Sequence, residues 1–80
     1  MPRPKGGADQ AREIGRRIRA CREALVPPTS QERLADAAGL HRTYVGHVER
    51  GEVNLTVWNL IRLAAALGVD PAELVRGLRP

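Results

Sequence analysis

Eighty residues give room for one domain and little surplus stability for a second function. Thirteen Lys and Arg against nine Asp and Glu leave a formal charge of +4, so the expected partners are polyanions. One cysteine excludes an intramolecular disulfide and a Cys-rich zinc site, and no apolar run approaches the ~20 residues that a bilayer span needs. With no signal-peptide pattern, the expected location is the cytoplasm. A hydrophobic content of 42% with one Trp, one Tyr and no Phe means a core of Ala, Leu, Val and Ile, which suits closely packed short helices.

Residues 1–8, MPRPKGGA, read as a flexible basic tail ahead of a folded domain over residues 9–80. The tail is either a frayed terminus or an arm that touches phosphates or a minor groove. A first helix is expected from Asp9 to Leu25, with Ile14, Ile18, Cys21 and Leu25 as its buried stripe. Cys21 is thereby a core residue rather than a nucleophile. Arg12, Arg16, Arg17 and Arg19 fall off the stripe on a solvated face, from which Arg16 or Arg17 could reach a nucleic-acid backbone. Pro27 and Pro28 then break the helix, since neither can donate a hydrogen bond.

From Ser30 to Gly51 the run SQERLADAAGLHRTYVGHVERG reads as two short helices around a glycine turn. Ser30 is placed to N-cap the first, whose apolar stripe is Leu34, Ala35 and Ala38. Gly39 ends it, because a C-cap usually requires positive φ. Leu40 drops into the core, and His41 stands at the N-cap position of the next helix. There Val45 and Val48 face inward, while Arg42, Thr43, Gly46, His47 and Arg50 fall on the other side. A polar face rich in donors is what reading base edges in a major groove requires. Glycine inside an exposed helix costs about 1 kcal/mol relative to alanine. Gly46 either lets the helix lie deeper in the groove or marks a tolerant surface position.

Beyond a loop from Glu52 to Leu55, Thr56 is a candidate N-cap for a helix over Val57 to Leu67, burying Val57, Leu60, Ile61, Ala64 and Leu67. Gly68 ends it, and Asp70-Pro71-Ala72-Glu73 starts a last helix that runs to about Gly77 with Leu74, Val75 and Leu78. With no repeat and no strand alternation, the expected fold is all-α with five helices.

The SQE-x-LA opening, the AGL turn, R-T-Y in the second helix and the closing ERG resemble the helix-turn-helix of the lambda/434 repressor and Cro family, also called the XRE family. Within it the chain looks most like restriction–modification controller proteins and small phage-type repressors. The likeness runs from about Ile14 to Leu78 and implies a lambda-repressor-like DNA-binding domain. It implies base contacts from Arg42, Thr43 and His47, and a phosphate contact from Gln31 at a helix N-terminus, where free N–H groups favour an anion. Ser30, Tyr44, Arg50 and Asn54 are further phosphate candidates, though Tyr44 could instead pack under the turn. Arg42 suits a bidentate contact to guanine, while His47 could equally only pack or bond a phosphate. A carboxylate at Glu49, in the last turn of its helix, opposes the helix dipole and needs a cation. The family pairs an Arg of the first helix with a Glu at this place, which implies an Arg22–Glu49 bridge. The Pro-Pro link departs from the shorter Gly-containing family link.

One short recognition helix reads about four base pairs, so two are expected one DNA turn apart, about 34 Å, on a homodimer. Trp58, Val75 and Leu78 are the candidates for its two-fold contact, unless they only close one protomer's core. The expected function is a homodimeric transcriptional regulator on a short palindromic operator in double-stranded DNA. The resemblance implies autoregulation. The alternative is an antitoxin or adaptor whose helical surface binds a partner protein. An enzyme is not expected, for lack of a nucleophile–base pair, a carboxylate pair on a common face or a phosphate-cradling loop. No cofactor, metal or small-molecule ligand is expected either: His41 and His47 have no carboxylate or cysteine at ligand spacing.

Overall fold

The computed structural model describes residues 7–80. Five helices and no strand make up these residues: α1 (Gly7–Ala24), α2 (Gln31–Ala38), α3 (Tyr44–Glu49), α4 (Val57–Leu67) and α5 (Pro71–Val75). Gly7 and Ala8, assigned from the sequence to the tail, are the first turn of α1. The rest of the expected tail lies outside the described residues, and with it the arm reading.

Helix boundaries follow from local capping chemistry. The Ser30 hydroxyl accepts the Arg33 N–H at 3.1 Å, the Thr56 hydroxyl that of Asn59 at 3.0 Å, and the Asp70 carboxylate that of Ala72 at 2.8 Å. Each satisfies a donor that the helix leaves free, a contribution of about 1 kcal/mol. Gly39 adopts φ 71° and turns the chain so that the Leu40 N–H reaches the Ala35 carbonyl at 2.8 Å. That left-handed turn sets the angle between α2 and α3.

The start of α3 differs from expectation. Thr43, not His41, precedes the helix, and its own side chain makes no cap bond. Residues 41–44 close a turn instead, with the Tyr44 N–H donating to the His41 carbonyl at 2.9 Å. The His41 ring still does a cap's work, because its Nδ1 accepts the Thr43 N–H at 3.2 Å.

The core is Ile18 of α1, Leu34, Ala35 and Ala38 of α2, Val45 and Val48 of α3, Leu63, Ala64 and Leu67 of α4, and Leu74 of α5. Ile14, Cys21, Leu25, Leu40, Tyr44 and Leu60 pack half-buried around it. In α4 the buried stripe is rotated from the expected one. Leu63 is fully enclosed, whereas Val57 and Ile61 are 73% and 39% exposed. The centre of that stripe is fixed by where α2 and α5 lie, which the periodicity of α4 alone does not encode.

Arg17 does not join a solvated face. Its Nη1 donates to the Arg76 carbonyl at 2.8 Å, at the end of α5, and its Nε to Glu13 at 2.8 Å. It therefore clips α5 to α1 by satisfying a carbonyl that the helix end leaves free. Arg16 also binds Glu13, at 2.8 Å, and the two guanidinium groups lower the Glu13 carboxyl to about 2. Arg12 pairs with Asp9 and Arg19 with Glu23, so the cations of α1 are largely matched on their own helix. α1 nevertheless carries five Arg against three acids, so half of the formal charge of +4 stays on it.

Candidate nucleic-acid interface

The helix-turn-helix is braced from behind by a buried ionic network. Arg22 of α1 grips Glu49 of α3 with two parallel bonds, Nε to Oε2 at 2.7 Å and Nη2 to Oε1 at 3.0 Å. Its third donor group, Nη1, reaches the Thr29 carbonyl at 2.9 Å. The Gln31 amide of α2 donates to Glu49 Oε1 at 2.9 Å. Only 4% of the Glu49 side chain and 12% of that of Arg22 is exposed. The hydrogen bond to Glu49 raises the Arg22 guanidinium above its ordinary value. A single carboxylate thus fixes α1, α2 and α3 relative to one another.

In front of this brace the residues divide. Arg42 and Thr43, in the turn, and His47, in α3, are each exposed. Among the described residues Arg42 takes part in none of the ion pairs. Gly46 is not exposed with them: it is buried, and a Cβ built on it would meet Gln31 Oε1 at 3.3 Å and Arg50 Nη1 at 3.2 Å. Its bareness makes room for those two side chains to close over α3, which replaces the expected reason for a glycine here.

Tyr44 is half-buried against the core, and its hydroxyl accepts from the Asn59 amide at 3.2 Å. Ser30 is occupied as the α2 cap, and Asn54 is exposed in the loop before α4. Trp58 is 61% exposed, with the Arg62 guanidinium 5.4 Å from its ring centroid, and Val75 is 38% exposed. Leu78 is half-buried.

Two histidines of the helix-turn-helix are bonded at Nδ1 in opposite senses. His41 Nδ1 accepts the Thr43 N–H and lies 2.9 Å from the Thr43 hydroxyl. It must be the bare nitrogen, so the hydroxyl donates to it and Nε2 carries the ring proton. Thr43 is left with oxygen lone pairs and a methyl to offer. His47 Nδ1 lies 2.8 Å from Glu52 Oε1, and Arg50 Nε donates to Glu52 Oε2 at 3.0 Å. Bonding to Arg50, and then to His47, holds the Glu52 carboxyl below its ordinary range. Sequence periodicity missed Glu52 because it stands in a loop, off every helical stripe. The signal available was an acid two residues after Arg50 and five after His47.

The helix-turn-helix family HTH_3 matches residues 29–74. The chain belongs to that family. This makes it a helix-turn-helix DNA-binding domain of the XRE type. The helix-turn-helix chain is 54% identical over 46 residues to Control protein C.SmaI of Serratia marcescens, covering 58% of this chain and 55% of that one. It thus spans about half the length of the curated relatives it matches. Among solved structures it is similar to the restriction-modification controller protein C.AhdI from Aeromonas hydrophila. That likeness has 42% identity and a TM-score of 0.76 and covers 82% of this chain and 97% of the other. The P22 c2 repressor in complex with a synthetic operator is also similar, at 32% identity and a TM-score of 0.71, over 81% and 96% of the two chains. No helix among the described residues is long and apolar enough to cross a membrane.

Proposed function

We propose that this helix-turn-helix chain is a sequence-specific transcriptional regulator of the controller type. It binds a short palindromic operator as a homodimer, with α3 in the major groove, and acts on its own promoter in the cytoplasm. The observation that carries this reading is the exposure of Arg42, Thr43 and His47 in front of a buried Arg22–Glu49–Gln31 network that holds α3 rigidly. Rigid presentation matters because base contacts specify only if phosphate contacts hold the helix in register. For that positioning, Ser30 satisfies the Arg33 N–H and, through its carbonyl, the Leu34 N–H. A phosphate at the start of α2 would therefore meet the N–H groups of Gln31 and Glu32. Arg50, Tyr44 and Asn54 are the further phosphate contacts of the proposal. The controller and repressor names of the similar proteins, one of them bound to an operator, agree with it.

Dimerisation is supported by apolar surface that one protomer leaves uncovered. Val57, Trp58 and Ile61 of α4 and Val75 of α5 are exposed, and Val57 and Val75 border one groove. The deciding experiment selects duplexes from a random pool at about 150 mM salt, where nonspecific phosphate binding is weakened. Enrichment of an inverted repeat with half-site centres about ten base pairs apart is expected. Binding without enrichment would reduce the protein to a basic DNA-coating domain.

A further inference from the structure

The geometry points to Glu52 as a specificity-determining residue that acts through His47, by holding the ring proton on Nδ1 and so presenting Nε2 of the neutral imidazole outward as a hydrogen-bond acceptor. This rests on the reading that α3 faces base edges.

A carboxylate oxygen and an imidazole nitrogen 2.8 Å apart cannot both be acceptors, and ionised Glu52 has no proton to give. Nδ1 is therefore the donor. The other charged neighbour is Arg50, just past the end of the same helix, whose Nη2 stands 3.4 Å from the same nitrogen. That separation is at the long limit of a hydrogen bond, while Arg50 Nε already donates to Glu52 at 3.0 Å. The shorter contact sets the proton, and Arg50 serves to hold the carboxylate in place. In neutral imidazole one nitrogen donates and the other accepts, so Nε2 keeps its lone pair.

In the major groove an outward acceptor matches the amino groups of cytosine N4 or adenine N6. It is repelled by guanine, which shows only O6 and N7 acceptors there. A histidine in this place without an anchored Nδ1 proton could present either character, and would discriminate poorly. His41 makes the contrast within the helix-turn-helix: its Nδ1 is the bare nitrogen, so its free Nε2 is a donor.

The test has two parts, both on the full chain at about pH 8, above the ordinary histidine value of about 6.5. Long-range ¹⁵N–¹H correlation on the free protein reads the tautomers directly. It is expected to show the proton on Nδ1 of His47 and on Nε2 of His41, with Glu52→Ala removing the preference at His47 alone. A proton on Nε2 of His47 in the unmodified chain would overturn the inference without touching DNA binding. The second part measures affinity for a panel of operators varied one base pair at a time, using the unmodified chain, His47→Ala and Glu52→Ala.

His47→Ala should erase, on the order of fivefold, a preference at one position per half-site for the base pairs that set a cytosine or adenine amino group, rather than an O6, N7 or O4 acceptor, against the ring. Glu52→Ala should flatten that same position and leave the others ranked as before. An equal factor across all duplexes for Glu52→Ala would make it a general electrostatic residue and sink the proposal. If His47→Ala changes no position, the proposal fails with the base-reading role of His47. If the unmodified chain binds no duplex at all, the underlying DNA reading fails instead.

Discussion

Gly15 of α1 lies so close to Val48 of α3 that a Cβ on the glycine would fall inside the contact shell of the Val48 carbonyl oxygen and 2.8 Å from the carbonyl of Glu49. Neither backbone can yield as a flexible side chain could, because Val48 is buried and Glu49 is held by Arg22. Gly15→Ala should therefore force α1 and α3 apart and cost about 3 kcal/mol, the upper part of the range for overpacking. Urea unfolding checks this. A loss under ~0.5 kcal/mol, the usual size for a surface substitution, would show that the helices are less tightly apposed.

The Arg22–Glu49 pair yields a second prediction. Arg22→Ala strands a carboxylate of which only 4% is exposed and should cost ~3–5 kcal/mol. Replacing both partners, as Arg22→Met with Glu49→Leu, should recover much of that loss in stability, since no charge is left buried alone. It should nevertheless weaken operator binding, because Gln31 loses the acceptor that ties α2 to α3. Denaturation and binding measured on the same variants separate the two effects.

How much of this was legible in the sequence depends on the range of the interaction. The caps at Ser30, Thr56 and Asp70 and the stop at Gly39 are decided within four residues, and the sequence places them correctly. The family likeness carries further, to the long-range pairing of Arg22 with Glu49. What stayed hidden depends on where other elements lie. The rotation of α4 that encloses Leu63, the Arg17 clip on α5 and the covering of Gly46 by Gln31 all belong to this class. Each needs two segments to be brought together before either shows its partner.

Acid sensitivity follows from Glu13. Its carboxyl falls from the ordinary 4.5 to about 2 through hydrogen bonds with Arg16 and Arg17. A group depressed on folding adds stability above its unfolded value, and that stability drains away as pH falls through the folded value. The contribution is thus full above about pH 4.5 and lost toward pH 2. Glu13→Gln should flatten the pH dependence of the melting temperature in that window and change it little near neutrality. The side chain is partly solvated, so the effect should shrink in high salt. An unchanged acid limb in the variant would exclude Glu13 as its source.

Arg42 stands clear of the ion pairs that occupy His47 and Arg50, so its guanidinium can approach a base without first breaking a bond. Arg42→Ala should relax preference at one base pair per half-site, by ~1–3 kcal/mol of discrimination. Arg50→Ala should instead lower the salt slope by about one and weaken all duplexes alike, apart from the position His47 reads, where loss of the hold on Glu52 also loosens the preference. If Arg42→Ala gave that uniform pattern, it would be a phosphate contact.

The exposed apolar residues of α4 and α5 decide the assembly. Trp58 carries the largest apolar surface among them, and Val57 and Val75 stand on the rim of a shared groove. If a second copy covers this face, the tryptophan is its natural anchor, since large aromatics dominate interface energies. Trp58→Ala should then shift sedimentation from dimer to monomer with a loss of about 2 kcal/mol or more in association. The helix content of the monomer should be kept, because Trp58 is no part of the protomer core. Operator affinity should fall with it, while binding to an isolated half-site stays as it was. A variant that remains dimeric would move the two-fold axis elsewhere. One that loses half-site binding as well would mean that Trp58 supports the helix-turn-helix through the Arg62 guanidinium, which stacks on its ring and donates to the Gly39 carbonyl at 3.3 Å.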